Sequence, residues 1–406
     1  MAEFVLIRAV RAALLITSGL FVMQVAVAQP EHWVGTWASA PAAVPNTRND
    51  YAHDTTLREI VHMSIGGPSV RVTLSNELGA DELKIGGATI GLSDGHGGLV
   101  GAAHPLTFNG RANVTIAPGI AILSDPLAFP VTALTDLAVT IFVPGQTITT
   151  LTQHVLSYQT NYSADGNRIA DTDLADAKKF YSWPFLKAVE VRTSARGAAI
   201  VCLGDSITDG VLSTRDKNAR WPDVLARRLQ ANKATASIGV LNLGISGNRL
   251  LHDVTGPSAL SRFDRDVLGQ SGVRYLIILE GINDIGHTTH PALPNDPIEA
   301  SQLVFALNQI IERAHAHGIK VFGATLTPYG GARTETELGD SMRAVENDFI
   351  RNSGRFDAVI DFDKATHDPA NPLAYSPVAD GGDHVHPGDA GYGIMGNAID
   401  LKLFAK

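Results

Sequence analysis

The sequence predicts an α/β protein in two parts: an antiparallel β-sandwich or barrel, followed by a parallel sheet with helices on both faces. Before residue 170, short strand-like segments are punctuated by Gly and Pro. From residue 198 onward, apolar runs alternate with longer amphipathic stretches, which is typical of a parallel sheet covered by helices. The change of pattern between about 180 and 196 predicts two domains, a β-rich accessory domain at 29–190 and a second domain at 191–406.

Several strands are expected in the β-rich part because β-branched residues recur in near alternation. The segment from Thr55 to Leu78 holds two of them, separated by Gly66-Gly67-Pro68. No helix of convincing length and no fixed-period repeat is evident there. The other expected strands are 83–85, 88–92, 114–116 and 137–143.

The second part repeats a strand-then-helix pattern. In the stretch 299–317, Leu303, Leu307 and Ile310 recur at helical spacing, and His317-Gly318 is a plausible stop. The expected strands are 198–203, 238–243, 273–279, 319–326 and 357–362, and the expected helices include 221–232, 299–317 and 340–352.

Composition excludes several classes of protein. Of the 406 residues, 45% are hydrophobic and 18% are charged, which is globular and not disordered composition. The formal net charge is −9 and no basic block is present, so nucleic acid is not an expected partner. The single cysteine, Cys202, lies in an apolar run and is expected to be buried; stability must then come from the core without an internal disulfide.

The N-terminus has the pattern of a signal peptide at 1–28. Arg8 and Arg11 precede an apolar stretch from Ala12 to Met23, and Ala26-Val27-Ala28 fits a small-x-small cleavage site. The stretch is short for a membrane span, although an uncleaved anchor is the alternative. We therefore expect a periplasmic or secreted protein with no stable membrane span after cleavage.

The motif GDSITDG at 204–210 raises the question of a nucleophile, because Ser206 follows a predicted buried strand. A serine at that position is also a common helix cap. Three further segments follow predicted strands or lie in the last loop, where one pocket can collect them. They are Gly244-Ile245-Ser246-Gly247, Glu280-Gly281-Ile282-Asn283-Asp284 and Asp380-Gly381-Gly382-Asp383-His384-Val385-His386-Pro387.

These four segments, in this order, resemble the conserved blocks of the SGNH hydrolases, also called the GDSL esterase/lipase family. The resemblance covers 197–406 and implies a flavodoxin-like three-layer parallel-sheet domain. The TWASAP opening and the β-rich region resemble a bacterial subgroup with an N-terminal jelly-roll-like β-sandwich, similar to xylan-linked acyl esterases.

The resemblance also implies a role for each site residue. Ser206 is the expected nucleophile, His386 its general base and Asp383 the acid that orients the imidazole. The expected oxyanion hole consists of the Ser206 N–H, the Gly247 N–H and the Asn283 side-chain amide. His384 is a competing candidate for the base; His386 is preferred because it lies three residues after the acid and before a proline.

The expected function is a serine carboxylester hydrolase that removes acetyl or other short acyl groups from carbohydrate. A short-chain arylesterase or lipase and an acyltransferase with the same triad are alternatives, as is a degenerate hydrolase that only binds carbohydrate. Its partner would be a small-molecule or polysaccharide ester. No cofactor or metal is expected, because the histidines of GHTTH and HAH lack accompanying ligands. Arg249, His252 and Trp221 are candidates for shaping the pocket.

Overall fold

Short strands make up the N-terminal half of the protein, as its punctuated sequence predicts. The computed structural model describes residues 32–174, 176–193, 196–293 and 296–405, so the expected signal peptide lies outside the described residues. The strands are β1 (His32–Ala38), β2 (Ala42–Pro45), β3 (Thr55–His62), β4 (Val70–Ser75), β5 (Leu83–Ile85), β6 (Gly87–Ser93), β7 (Leu99–Leu106), β8 (Val114–Ile116), β9 (Ala121–Leu123), β10 (Asp136–Val143), β11 (Thr150–His154), β12 (Asn161–Asp165), β13 (Lys178–Phe180), β14 (Trp183–Pro184) and β15 (Leu186–Thr193).

These strands form antiparallel sheets that together make the expected β-sandwich. A six-stranded sheet has the order β13-β12-β3-β10-β6-β7, a four-stranded sheet the order β1-β15-β4-β9, and a smaller sheet the order β14-β11-β2. Strands β5 and β8 pair separately. The two segments on either side of Gly66-Gly67-Pro68 are β3 and β4, and they belong to different sheets.

The alternation of side chains along β10 shows how the sheets pack. Leu137, Val139, Ile141 and Val143 are fully buried and belong to the main hydrophobic core. Val72 and Leu74 of the facing β4 lie in the same core. Their burial stabilises the sandwich by roughly 1.5–3 kcal/mol for each side chain.

The second half forms a five-stranded parallel sheet with the order β17-β16-β18-β19-β20, which is the 2-1-3-4-5 order of flavodoxin-like folds. Its strands are β16 (Ala198–Gly204), β17 (Ile238–Gly244), β18 (Val273–Leu279), β19 (Lys320–Ala324) and β20 (Ala358–Ile360), followed by the short pair β21 (His367–Asp368) and β22 (Asn371–Tyr375). The helices are α1 (Ser206–Asp209), α2 (Trp221–Gln230), α3 (Ala259–Phe263), α4 (Ile282–Thr289), α5 (Ala300–Ala316), α6 (Glu337–Asn352), α7 (Phe362–Thr366) and α8 (Asp389–Ala398), with a π-helical turn at Asp264–Leu268 and a 3₁₀ turn at Leu401–Leu403.

The β-sandwich packs closely against one edge of the parallel sheet. Strand β1 lies against β17, where a side chain on Gly239 would come within 2.2 Å of the Gly35 carbonyl oxygen. The Val240 N–H donates to Ser64 Oγ at 2.9 Å. Because of this contact, β16 and β17 share one hydrophobic core with the sandwich strands.

The predicted boundary between residues 190 and 191 falls within β15, which runs to Thr193. The division into domains at that position stays a prediction. Within the part of the chain that the structure describes, no helix has the length and apolar character needed to cross a membrane.

Candidate active site

The turn after β16 presents Ser206 at the carboxyl end of the parallel sheet. Strand β16 lies between β17 and β18, at the point where the strand order reverses and open α/β sheets bind their ligands. The Asp205 carboxylate caps α1 by accepting the Ile207 N–H at 2.9 Å. A side chain on Gly204 would lie 2.5 Å from the Leu279 carbonyl oxygen, so only glycine allows this close approach.

The last loop brings an imidazole to Ser206. His386 Nε2 lies 2.8 Å from Ser206 Oγ, and His386 Nδ1 lies 2.7 Å from Asp383 Oδ2. Because a carboxylate only accepts hydrogen bonds, the proton of the imidazole is on Nδ1. Nε2 is then free to accept a hydrogen bond from the Ser206 hydroxyl. Burial would raise the pKa of Asp383, but hydrogen bonds from the His386 side chain and from the backbone of His386 and Val385 outweigh it and lower that pKa. The three predicted triad residues therefore lie together.

The competing histidine points to a different partner. His384 Nδ1 lies 2.5 Å from Asp380 Oδ2, and the side chain of His384 is 51% exposed. Val385 separates the two histidines and packs against the cluster of Ile282, Tyr329 and Ala332. Alternate residues of the loop therefore face different surroundings, and it is His386 that reaches Ser206.

Gly247 lies in the loop after β17, in a conformation that favours glycine. Its φ of +80° is in the left-handed region, and a side chain there would lie 2.8 Å from Thr255 Oγ1. Two contacts join this loop to the Ser206 turn: the Ile245 N–H donates to the Gly204 carbonyl at 3.0 Å, and Ser246 Oγ donates to Asp209 Oδ2 at 2.6 Å.

Asn283 follows β18 on the first turn of α4 and contacts the residue after Gly247. Its Nδ2 donates to the Asn248 carbonyl at 2.9 Å, which leaves the second N–H of the amide for another acceptor. Asn248 is held in turn by Arg262, whose fully buried guanidinium also donates to the Gly204 carbonyl at 3.0 Å. The four sequence blocks are thus linked by hydrogen bonds, the third block through Asn248, the residue after Gly247.

Arg262 is a site-organising residue that sequence reasoning missed. It lies outside the four blocks, on α3, and a lone arginine in an amphipathic stretch is indistinguishable from a surface residue. Its ion pair with Asp266, at 3.1 Å, is wholly buried. Two carbonyls at strand ends, those of Gly204 and Leu243, also accept from it.

Buried carboxyl groups lie near the turn. Burial is the largest cause that raises the pKa of Asp205 to about 7 and that of Asp284 to about 6. It also raises the pKa of Glu280 and Glu346, and neighbouring carboxylates add to the effect. In the described part of the chain, no group of three or more His, Cys, Asp or Glu side chains is arranged to hold a metal ion.

Several other residues singled out by the sequence are buried or form ion pairs. Trp221 is fully buried against Phe362. Arg249 is also buried, with an ion pair to Asp296, and His252 contacts the same carboxylate at 2.6 Å. Cys202 is a buried free thiol, as expected.

Comparison with known proteins finds a family match in the second half of the chain. Residues 202–394 match the model of the GDSL-like lipase/acylhydrolase family. No curated protein sequence matches the chain.

Solved structures resemble about half of the chain. An acetyl xylan esterase from Geobacillus stearothermophilus aligns with 22% identity over 51% of this chain and 95% of its own length, at a TM-score of 0.40. The aryl esterase of M. smegmatis aligns with 18% identity over 51% of this chain and 98% of its own, at 0.40. A GDSL-like lipase from Bacteroides thetaiotaomicron aligns with 19% identity over 52% of this chain and 90% of its own length, at a TM-score of 0.38.

The segment 202–394 belongs to the GDSL-like lipase/acylhydrolase family. The protein is accordingly a carboxylic ester hydrolase.

Proposed function

We propose that this protein is a serine esterase that forms an acyl intermediate on Ser206 and removes acetyl or other short acyl groups from carbohydrate. The observation that carries the proposal is the pair of hydrogen bonds, 2.8 and 2.7 Å long, that runs from Ser206 Oγ through His386 to Asp383. A serine hydroxyl is a weak nucleophile near neutral pH, so this contact supplies the base that it needs.

The first step is attack of Ser206 Oγ on the ester carbonyl carbon. As the C–O bond forms, the hydroxyl proton moves to His386 Nε2 and the carbonyl oxygen takes the negative charge. Asp383 holds the Nδ1 proton and stabilises the imidazolium without accepting its proton. The lowered pKa of Asp383 keeps its carboxylate ionised for this role.

The negative oxygen is bound by the Ser206 N–H, the Gly247 N–H and the Asn283 side-chain amide. The link from Asn283 to the Asn248 carbonyl fixes the amide beside the Gly247 loop before substrate arrives. Donors held in place in this way need no rearrangement during the reaction, and each is worth about 2.7–4 kcal/mol of transition-state stabilisation.

Collapse of the tetrahedral intermediate releases the alcohol. His386 returns the proton to the leaving oxygen, and the acyl group stays on Ser206. A water molecule then attacks the acyl carbon and gives a proton to the same Nε2. The bond from the acyl carbon to Ser206 Oγ breaks, His386 returns the proton to Oγ, and the acid product leaves. One imidazole therefore serves both half-reactions.

Polar groups beside the site support a sugar as the alcohol part of the substrate. The His384–Asp380 pair lies in the same loop as His386, and His384 is two residues from it. The second polar group is the pair of His252 and Asp296; His252 follows Gly247 by five residues, and its side chain is 38% exposed. Such donors and acceptors suit the hydroxyl groups of a carbohydrate.

Short aryl or alkyl esters are a second candidate class. Leu212 is 45% exposed and Val254 is 54% exposed. Leu212 lies beside Gly381 of the His386 loop, and Val254 precedes Thr255, which contacts Gly247. These apolar side chains offer a surface for a small acyl or aryl group.

The test compares wild type with Ser206→Ala on p-nitrophenyl acetate and acetylated xylan, with released acetate as the readout. We expect wild type to release acetate from both, and Ser206→Ala to lose about 10⁴-fold or more in kcat. Full activity in Ser206→Ala would refute the acyl-serine mechanism. Acetate release from p-nitrophenyl acetate alone would favour the aryl ester class, and transfer to an added sugar would identify an acyltransferase.

A further inference from the structure

The Ser206 turn carries a second carboxylate, Asp209, whose partners come from both halves of the protein. His154 Nε2, at the end of β11 in the β-rich part, lies 3.0 Å from Asp209 Oδ1. The other oxygen, Oδ2, accepts the Ser246 N–H at 3.0 Å and the Ser246 hydroxyl at 2.6 Å. Both side chains of the ion pair are about 5% exposed or less, so water does not compete for these contacts.

The imidazole of His154 is surrounded by acceptors. Its Nδ1 lies 2.8 Å from the Ala40 carbonyl, and Nε2 lies 2.9 Å from the Leu156 carbonyl in addition to Asp209. Because carbonyl and carboxylate oxygens only accept, both ring nitrogens must carry protons and the ring is an imidazolium. Burial would lower the pKa of His154, but Asp209 and these hydrogen bonds outweigh it and raise that pKa.

Tyr158, four residues along the same β-rich segment, completes the contact. Burial raises the pKa of its phenol, and its contact with the Ser246 side chain opposes that rise. The Ser246 hydroxyl donates its single proton to Asp209. Ser246 is therefore held by Asp209 through both its backbone N–H and its hydroxyl, and Gly247 is the next residue.

We propose that His154 and Tyr158 are positioning residues, through which the β-rich part fixes the Gly247 N–H by way of Asp209 and Ser246. The inference rests on the proposed function, in which that N–H binds the oxyanion. It gives the β-sandwich an indirect part in the reaction, exerted through Asp209 and Ser246.

The main test is His154→Gln, with His62→Gln as the matched control. His62 is also a histidine of the β-rich part paired with a carboxylate, Asp136 at 2.6 Å, but that pair does not contact Ser246 or Asp209. We expect His154→Gln to lower kcat on p-nitrophenyl acetate by about 10- to 100-fold with KM nearly unchanged, since a small misplacement of a catalytic group has effects of about this size. The inhibition constant of a boronic acid that mimics the tetrahedral intermediate should rise in parallel.

Tyr158→Phe keeps the ring and removes only the hydroxyl, so it tests the same link without opening a cavity. We expect a smaller loss of kcat in the same direction. The double variant Tyr158→Phe, His154→Gln should lose less than the product of the two single losses, because both changes act through Ser246.

Amide hydrogen exchange gives a readout that does not depend on catalysis. We expect faster exchange in His154→Gln within the peptide covering 244–250, with the peptides of the parallel sheet unchanged. Equal kcat in His154→Gln and His62→Gln, in an active enzyme labelled by a fluorophosphonate at Ser206, would overturn the inference alone. Loss of protection throughout the protein would show a merely structural role and would also overturn it. A wild type inactive on all esters and unlabelled at Ser206 would instead refute the proposed function and this inference with it, even if the 244–250 peptide loosened.

Discussion

Two imidazole–carboxylate pairs meet the segment from 205 to 210, and they come from different regions of the molecule. The His386–Asp383 pair lies in the loop between Asp380 and Pro387, with side chains 17% and 44% exposed. The His154–Asp209 pair lies at the contact between the β-sandwich and the α/β part, with side chains 5% and 4% exposed. Both have short N–O distances, 2.7 and 3.0 Å.

The difference between the pairs lies in what surrounds the second ring nitrogen. In His386 that nitrogen faces a hydroxyl, which can donate or accept, so a proton can pass in either direction. In His154 the second nitrogen is Nδ1, which faces the Ala40 carbonyl, and loss of its proton would leave that buried oxygen without a donor. The same pair of side chains therefore suits proton transfer in one region and fixed support in the other.

The largest effect on kcat should follow from removal of the His386 imidazole, which exchanges a proton with Ser206. We expect His386→Ala to lower kcat by about 10⁴-fold or more, because Ser206 then has no base. His384→Ala is the matched control, since His384 lies in the same loop with its own carboxylate, Asp380. It should retain turnover close to that of wild type. Equal losses in the two variants, measured with p-nitrophenyl acetate, would mean that loop structure and not proton transfer explains the effect.

The second effect concerns asparagines in the two regions. We expect Asn283→Ala to lower kcat by about 100- to 1,000-fold, the usual cost of one oxyanion donor, with little change in the unfolding free energy. Asn161 in β12 is the control: it is fully buried and bonds to the Ile60 N–H at 2.7 Å and the Ser182 carbonyl at 2.6 Å.

Asn161→Ala should instead lower the unfolding free energy by about 1–3 kcal/mol, because it leaves buried partners unpaired, and the folded fraction should keep its kcat. Denaturant titration and steady-state kinetics on both variants give the comparison. An Asn283→Ala enzyme with wild-type kcat would remove Asn283 from the proposed oxyanion hole.

Much of the α/β half could be predicted from sequence because its signals are local. The predicted helix at 299–317 is α5 at Ala300–Ala316, and the predicted strand at 273–279 is β18 with the same bounds. The Ser206, Gly247, Asn283 and His386 segments each follow a strand or lie in the last loop, so the fold that brings strand ends together also brings these segments together.

The strand β15 shows why the β-rich half was harder to predict. It lies inside its sheet, yet its sequence LKAVEVRT contains Lys187 and Glu190, which break the apolar alternation. Both charges are paired, Lys187 with Glu77 in the turn after β4 at 2.7 Å and Glu190 with Arg71 of β4. A local sequence pattern cannot predict partners more than a hundred residues away. For the same reason, the contact of His154 with Asp209 could not be predicted.

The smallest expected effect is a change in how the unfolding free energy depends on pH, caused by the buried carboxyl group of Asp205. Burial raises the pKa of Asp205 to about 7, so between its unfolded pKa and pH 7 the folded protein binds a proton that the unfolded chain has released. Stability should therefore fall as pH rises through that window. Asp205→Asn keeps the cap to Ile207 and cannot ionise, so its loss of stability between pH 5 and 8 should be smaller than that of wild type by about 2 kcal/mol.

Asp81→Asn is the control for this pH experiment, because it removes a partly exposed carboxylate whose pKa is shifted the other way. Hydrogen bonds from the Thr149 hydroxyl and backbone N–H lower the pKa of Asp81, so this group is ionised in both the folded and unfolded states from pH 5 to 8. Its removal should shift stability by the same amount across that range, and its own contribution would be lost only as pH falls through the lowered pKa. Parallel curves of unfolding free energy against pH for wild type and Asp205→Asn would mean that Asp205 is ionised in the fold. Burial would then distinguish Asp205 from exposed carboxylates without changing its protonation.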